Sequence, residues 1–224
     1  MYYNKEEIAA YLKTFAQYGL NDLGYFTEDD VDRFISSIDY ETVPDFDYDA
    51  GATKLTIIPE NRDYVIKIPF NAEWRYGDCF SFQGADSAYF DNYCEAEMNI
   101  YQEVKENGWE DMFLPLEYVG DFANYPIYVQ QKIELLERNS IEQKNYSSKE
   151  SKDKVNKDYQ YNRIGNLPGF WTASCLEVLG GSIEKLRKFI SFLYDTGIGS
   201  DLHSANVGFL NGKAIILDYG GYFE

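Results

Sequence analysis

Histidine occurs once in the chain, as His203, and cysteine only at Cys79, Cys94 and Cys175. With no C-x-x-C spacing and no second imidazole, there is nothing from which to assemble a zinc site. An odd number of dispersed thiols excludes a disulfide framework and fits reduced, buried cysteines. Basic residues are scarce: 20 Lys and Arg stand against 38 Asp and Glu, a formal charge of −18. Without a basic stripe the chain has no means of gripping a phosphate backbone, so direct nucleic-acid binding is disfavoured. No apolar run approaches membrane-spanning length, and the start, Met1-Tyr-Tyr-Asn-Lys-Glu-Glu7, lacks a basic-then-apolar leader. These absences lead to the expectation of a soluble cytoplasmic protein with no membrane partner.

What is present is aromatic and acidic. Aromatic residues make up 17% of the chain, 21 of them Tyr, which packs a ring while keeping a polar tip. Half of the net negative charge falls in the first 50 residues, with twelve Asp and Glu against three Lys and Arg. Such a bias solvates a face or meets a basic partner. Apolar spacing predicts a helix over 5–20 and a second from Thr27, whose first turn carries Glu28, Asp29 and Asp30. Strands are predicted at Lys54–Ile58, Tyr64–Phe70, Leu114–Val119 and Tyr125–Ile133, and a helix at Tyr93–Glu106 closed by Asn107-Gly108. Residues 71–90 read as loop. Residues 137–163, rich in Ser, Asn, Lys and acid, read as a flexible insertion. Ser182 caps a predicted helix to Tyr194, and Asn211-Gly212 joins two short strands as a hairpin.

Between and after these last elements stand Asp201-Leu-His-Ser-Ala-Asn206 and Ala214-Ile-Ile-Leu-Asp218-Tyr-Gly220. An Asp and an Asn five residues apart, then a strand ending in Asp-x-Gly, resemble the catalytic loop and metal-binding turn of protein kinase-like phosphotransferases. Leu202-His203 resembles the bacterial aminoglycoside phosphotransferase variant. The resemblance extends over roughly 42–224 and implies an α+β, bilobal kinase-like fold. It comprises an antiparallel small-lobe sheet at 42–133, a minimal helical large lobe at 134–224, and a helical extension at 1–41. Only four residues follow Gly220, so the expectation is a kinase-like chain truncated after the Asp-Tyr-Gly turn.

The site residues follow from the resemblance. Lys67, in the strand Tyr64-Val-Ile-Lys-Ile68, would meet the nucleotide phosphates and pair with a helix glutamate. Glu97 is preferred, because Ile100, Tyr101 and Val104 follow it at packing spacings; Glu95 is the close second. Backbone groups of Gln130, Gln131 and Lys132 would meet adenine. Asp201 would orient or deprotonate the attacking hydroxyl, Asn206 and Asp218 would hold Mg2+, and Gly220 would permit the turn after Asp218. Transferring phosphate carries dense negative charge, which oxygen ligands address through bound cations. His203 is expected to bond neighbouring backbone.

Three departures bear on activity. No G-x-G-x-x-G precedes Lys67, and the corresponding stretch, Asp45-Phe-Asp-Tyr-Asp-Ala-Gly51-Ala-Thr53, reads as a loop with three carboxylates that would repel a triphosphate. Gly199-Ser200 stands where the family has His-Arg, and the substrate lobe is short. Two functions follow: an ATP-dependent phosphotransferase acting on a protein or small-molecule hydroxyl, or a pseudokinase-like binding or inhibitor protein that engages a basic partner through acidic surfaces.

Overall fold

The computed structural model describes residues 3–13, 28–51, 53–69, 92–122, 125–135, 180–198, 206–211 and 213–220. The predicted loop 71–90, the insertion 137–163, Gly199-Ser200, Asp201 and Gly212 lie outside them. The chain divides into two units, one of residues 1–98 and 115–132, the other of 99–114 and 133–224.

The first unit is α+β. Helices α1 (Lys5–Leu12) and α2 (Glu28–Ser37) precede strands β1 (Phe46–Ala50), β2 (Lys54–Pro59) and β3 (Tyr64–Pro69). Helix α3 (Tyr93–Glu106) follows, then β4 (Leu116–Phe122) and β5 (Tyr125–Gln131). The five strands form one antiparallel sheet in the order β1-β2-β3-β5-β4. Side chains alternate across a strand, so the register sorts them onto two unlike faces. One carries Leu55, Ile57, Ile66, Ile68, Ile127 and Val129, packed with Ile8, Tyr11 and Leu12 of α1 and Val31, Phe34 and Ile35 of α2. Each such fully buried aliphatic contributes about 1.5–3 kcal/mol, which makes this face the core of the unit. The other face carries Lys54, Thr56, Lys67, Tyr128, Gln130 and Leu116, read from the pairs Thr56↔Lys67, Lys67↔Tyr128 and Leu116↔Gln130.

Polar bonds pin α1 to the sheet. Asn4 caps the helix by accepting the Glu6 amide at 2.9 Å. The Glu7 carboxylate accepts from Arg62 Nη2 at 2.6 Å and from the Tyr64 hydroxyl at 2.7 Å. Burial alone would raise the Glu7 pKa, but these bonds and the Arg62 charge outweigh it and hold the carboxyl below its ordinary range. Burial pushes the Tyr11 hydroxyl up to about 12, and that hydroxyl donates to the Pro44 carbonyl at 3.1 Å.

Strand β1 corrects the expectation of a loop at 45–53. Phe46–Ala50 pairs with β2, and the Gly51 amide donates to the Lys54 carbonyl at 3.0 Å to close the turn. Its aspartates lower strand propensity, but at a sheet edge with exposed side chains they stay solvated.

The second unit holds β6 (Glu134–Leu135), α4 (Ile183–Asp195), β7 (Val207–Leu210) and β8 (Lys213–Ile216), with the order β6-β7-β8 in one sheet. Ser182 accepts the Lys185 amide as the α4 cap. Asn211 takes φ 54° between β7 and β8, the left-handed backbone a two-residue hairpin requires. The core gathers Phe113, Phe189, Phe192 and Tyr219, with the Phe113 and Tyr219 rings edge-on at 5.1 Å. Helix α3 spans 93–106 as the sequence predicts. It ends where Gly108 adopts φ 73° and the Trp109 amide returns to the Val104 carbonyl at 2.9 Å.

Candidate functional site

On the polar sheet face, Lys67 rises from the middle of β3, opposite Thr56 on one side and Tyr128 on the other. Helix α3 is set beside it by its first residues. Asn92 accepts the Glu95 amide at 3.1 Å as the helix cap, and its side-chain amide donates to the Tyr128 hydroxyl at 2.7 Å. Cys94 and Met98 pack with Leu116 and Tyr128 of the sheet. Burial pushes the Tyr128 hydroxyl up to about 12, against the lowering effect of the Asn92 bond, so it stays protonated.

One and a half turns into α3, Glu97 points into this contact. Lys67 Nζ lies 3.8 Å from Glu97 Oε2, and the two side chains are 4% and 0% exposed. Glu95, the second candidate, is exposed. A second cation shares the carboxylate: Lys54, the first residue of β2, donates from Nζ to Glu97 Oε1, and its side chain is 5% exposed. Sequence reading missed Lys54. Its signal is register: Lys54 falls on the Lys67 face because Lys54 pairs with Pro69 and Thr56 with Lys67, and register depends on turn geometry that composition does not encode. Asn92 and Tyr128 were missed as well, although an Asn immediately before a predicted helix is a legible cap.

Gln130 is buried and paired on both sides, with Val65 and Leu116. Gln131 pairs with Tyr64. The Lys132 amide donates to the Asp63 carbonyl at 2.8 Å, and its ammonium to the Pro59 carbonyl at 3.1 Å. That amide is therefore committed to the Asp63 carbonyl, just beyond the ends of β3 and β5.

In the second unit, the Leu217 amide donates to the Asn206 carbonyl at 3.1 Å, and Val207 pairs with Ile216. The strand pairing thus sets Asn206 beside Leu217, one residue before Asp218. Asn206 is buried and Asp218 half-buried. Tyr219 fixes the following residue, its hydroxyl donating to the Leu114 carbonyl at 3.0 Å, and Gly220 is buried after it. An amide oxygen and a carboxylate suit a hard cation that keeps further oxygen ligands from water or phosphate, so the donor set fits Mg2+. Among the described residues no group of three His, Cys, Asp or Glu side chains gathers to hold a metal by itself. Asp201 lies outside the described residues.

A groove of about 800 Å³ in the same unit is lined by Trp109, Met112, Lys185, Lys188, Phe192 and Asp195, among others, and by none of the candidate site residues. Among the described residues no helix is long and apolar enough to cross a membrane.

No protein-family profile and no curated protein sequence matches the chain. Among solved structures it is similar to a chain of the streptomycin-ATP-APH(2")-IIa ternary complex, with 15% identity and a TM-score of 0.36, over 87% of this chain and 71% of that one.

Proposed function

We propose that the chain is a kinase-like, ATP-dependent phosphotransferase acting on a protein or small-molecule hydroxyl. Its small lobe would be 42–133 and its large lobe 134–224, with 1–41 as an extension. The observation that carries this reading is the buried contact between Lys67 and Glu97. Moving an ion pair out of water costs several kcal/mol per ion, and replacing a buried pair by apolar residues is often neutral or stabilising by about 1–4 kcal/mol. A fold has little use for such a pair as glue, whereas a phosphate site needs a lysine held by a fixed counter-charge.

In this reading Lys67 contacts the nucleotide phosphates and Glu97 positions it. Backbone groups of Gln130, Gln131 and Lys132 meet adenine, through atoms other than the Lys132 amide. Asn206 and Asp218 would hold Mg2+, which would supply positive charge against the phosphates, and Gly220 would give the chain its path after Asp218. The hydroxyl oxygen attacks the γ-phosphorus, the bond to the ADP oxygen breaks, and the hydroxyl proton passes to Asp201. Asp201→Asn should lower transfer of labelled γ-phosphate to the chain or to a lysate component by about 100-fold or more, with Mg–ATP binding retained. Undiminished transfer would remove Asp201 from the mechanism.

One observation favours the second reading, a pseudokinase-like binding or inhibitor protein. Asp49 pairs with Thr56, and Thr56 with Lys67, so Asp49 lies on the lysine face two strands away, with Asp47 beside it. That is about 10 Å, where each like-charge pair costs only about 0.4 kcal/mol in water. The repulsion is too small to exclude phosphate at Lys67, which is why transfer is preferred. In the binding-module reading, a basic partner captured by wild type is also captured by Lys67→Ala and lost on deletion of 1–41; robust turnover contradicts it.

A further inference from the structure

The resemblance provides one lysine for Glu97, and the fold supplies two. Lys54 and Lys67 stand on adjacent strands of one sheet face, both buried, and address opposite oxygens of the same carboxylate. The two contacts differ in kind. Lys54 donates a hydrogen bond to Oε1, whereas Lys67 at 3.8 Å from Oε2 is within ion-pair range but beyond hydrogen-bond length. Lys54 is also joined to the β1–β2 turn, because its carbonyl accepts the Gly51 amide at 3.0 Å.

A buried lysine that pairs with one glutamate cannot turn to an incoming phosphate without leaving that carboxylate behind. Stranding a buried charge is the expensive event in such sites. A second lysine already bonded to the other oxygen removes the conflict, since the carboxylate keeps a cation while the first ammonium moves.

We propose that Lys54 is a positioning residue of a phosphate site: it holds Glu97 in place and charged while the Lys67 ammonium turns to a nucleotide phosphate. This rests on the phosphotransferase reading and adds to it a residue on β2 and a division of labour between two lysines. Lys54 does not touch the phosphates. It acts through Glu97, and its removal matters only while Glu97 carries charge.

A double-mutant cycle read by calorimetric titration of Mg–ATP tests this. Lys54→Met lowers affinity about tenfold or more in the wild-type background, because the hydrogen bond that holds Glu97 Oε1 is lost. In the Glu97→Gln background the same substitution changes affinity less than about threefold. A merely structural lysine would lower the melting temperature in both backgrounds without this coupling. If Lys54→Met fails to fold, Lys54→Gln takes its place in the cycle. A measurement on the wild-type chain needs no variant: an acyl-phosphate derivative of ATP acylates the lysine beside the phosphates, and peptide mapping should find the label on Lys67, competed by ATP, and not on Lys54. Label preferentially on Lys54, or equal losses in both backgrounds, overturns the assignment. Saturable binding by wild type that Lys54→Met leaves unchanged overturns this assignment alone; no saturable binding by wild type overturns it together with the phosphotransferase reading.

Discussion

Glu97 is the residue on which the polar sheet face depends. Two ammonium groups reach it in a place water does not, so Glu97→Ala leaves both lysine chains buried without it. Breaking a buried pair from one side costs about 3–5 kcal/mol, and urea denaturation should show a loss of that size; a loss under about 1 kcal/mol would mean the lysines reach other carboxylates or water at no cost. Glu7 is a second, simpler case. Its folded pKa is held below the ordinary value by Arg62 and Tyr64 despite burial. A depressed carboxyl contributes stability that is fully present above the unfolded pKa, about 4.3, and lost as pH falls through the folded value. The stability gap between wild type and Glu7→Gln should therefore be constant from pH 7 to 6 and shrink once pH drops below about 4. A gap independent of pH in that window would contradict the assignment.

The elements carry their own tests. Removing the Asn92 cap by Asn92→Ala should cost about 1 kcal/mol and loosen α3 where Tyr128 anchors it, visible as faster amide exchange at residues 95–98. Gly208 in β7 allows a close strand approach: a Cβ there would meet Ile133 Cδ1 at 2.5 Å and the Glu134 carbonyl oxygen at 2.7 Å. The carbonyl is backbone and cannot swing aside, so Gly208→Ala should destabilise by about 1–3 kcal/mol; a neutral variant would show that β6 is not docked on β7. The inner strands β2, β3 and β5 and helix α3 were legible in the sequence because both faces of those strands, or one stripe of that helix, are buried and leave a periodic apolar trace. Strand β1 was not, since an exposed edge strand needs no apolar alternation and its aspartates argue for loop. The sequence named Lys67 and Glu97 through a resemblance in element order. Lys54 escaped because only the β2–β3 register puts it on the same face, and the Lys132 amide bond to Asp63 is not legible because its partner comes from a turn 69 residues earlier.

At the scale of the whole molecule, a chain of net charge −18 has a buried lysine pair on one sheet face, and Asn206 and Asp218 beyond the two ends of the β7–β8 hairpin. A field of that sign repels free polyanions, so in the proposed phosphotransferase local cations would have to overcome it: Lys67, and Mg2+ if Asn206 and Asp218 hold it. Asp218→Ala should accordingly abolish the magnesium dependence of nucleotide binding, leaving a weak, metal-independent residue of affinity detectable by fluorescence titration; an unchanged magnesium dependence would place the cation elsewhere. The most direct measurement is thermal unfolding with and without Mg–ATP on wild type and Lys67→Met. Nucleotide at a hundred times its dissociation constant should stabilise wild type by about 2.7 kcal/mol, whereas Lys67→Met should unfold cooperatively and gain no such increment at the same concentration. An identical shift in both proteins, or none in wild type at millimolar Mg–ATP, would contradict the phosphotransferase reading.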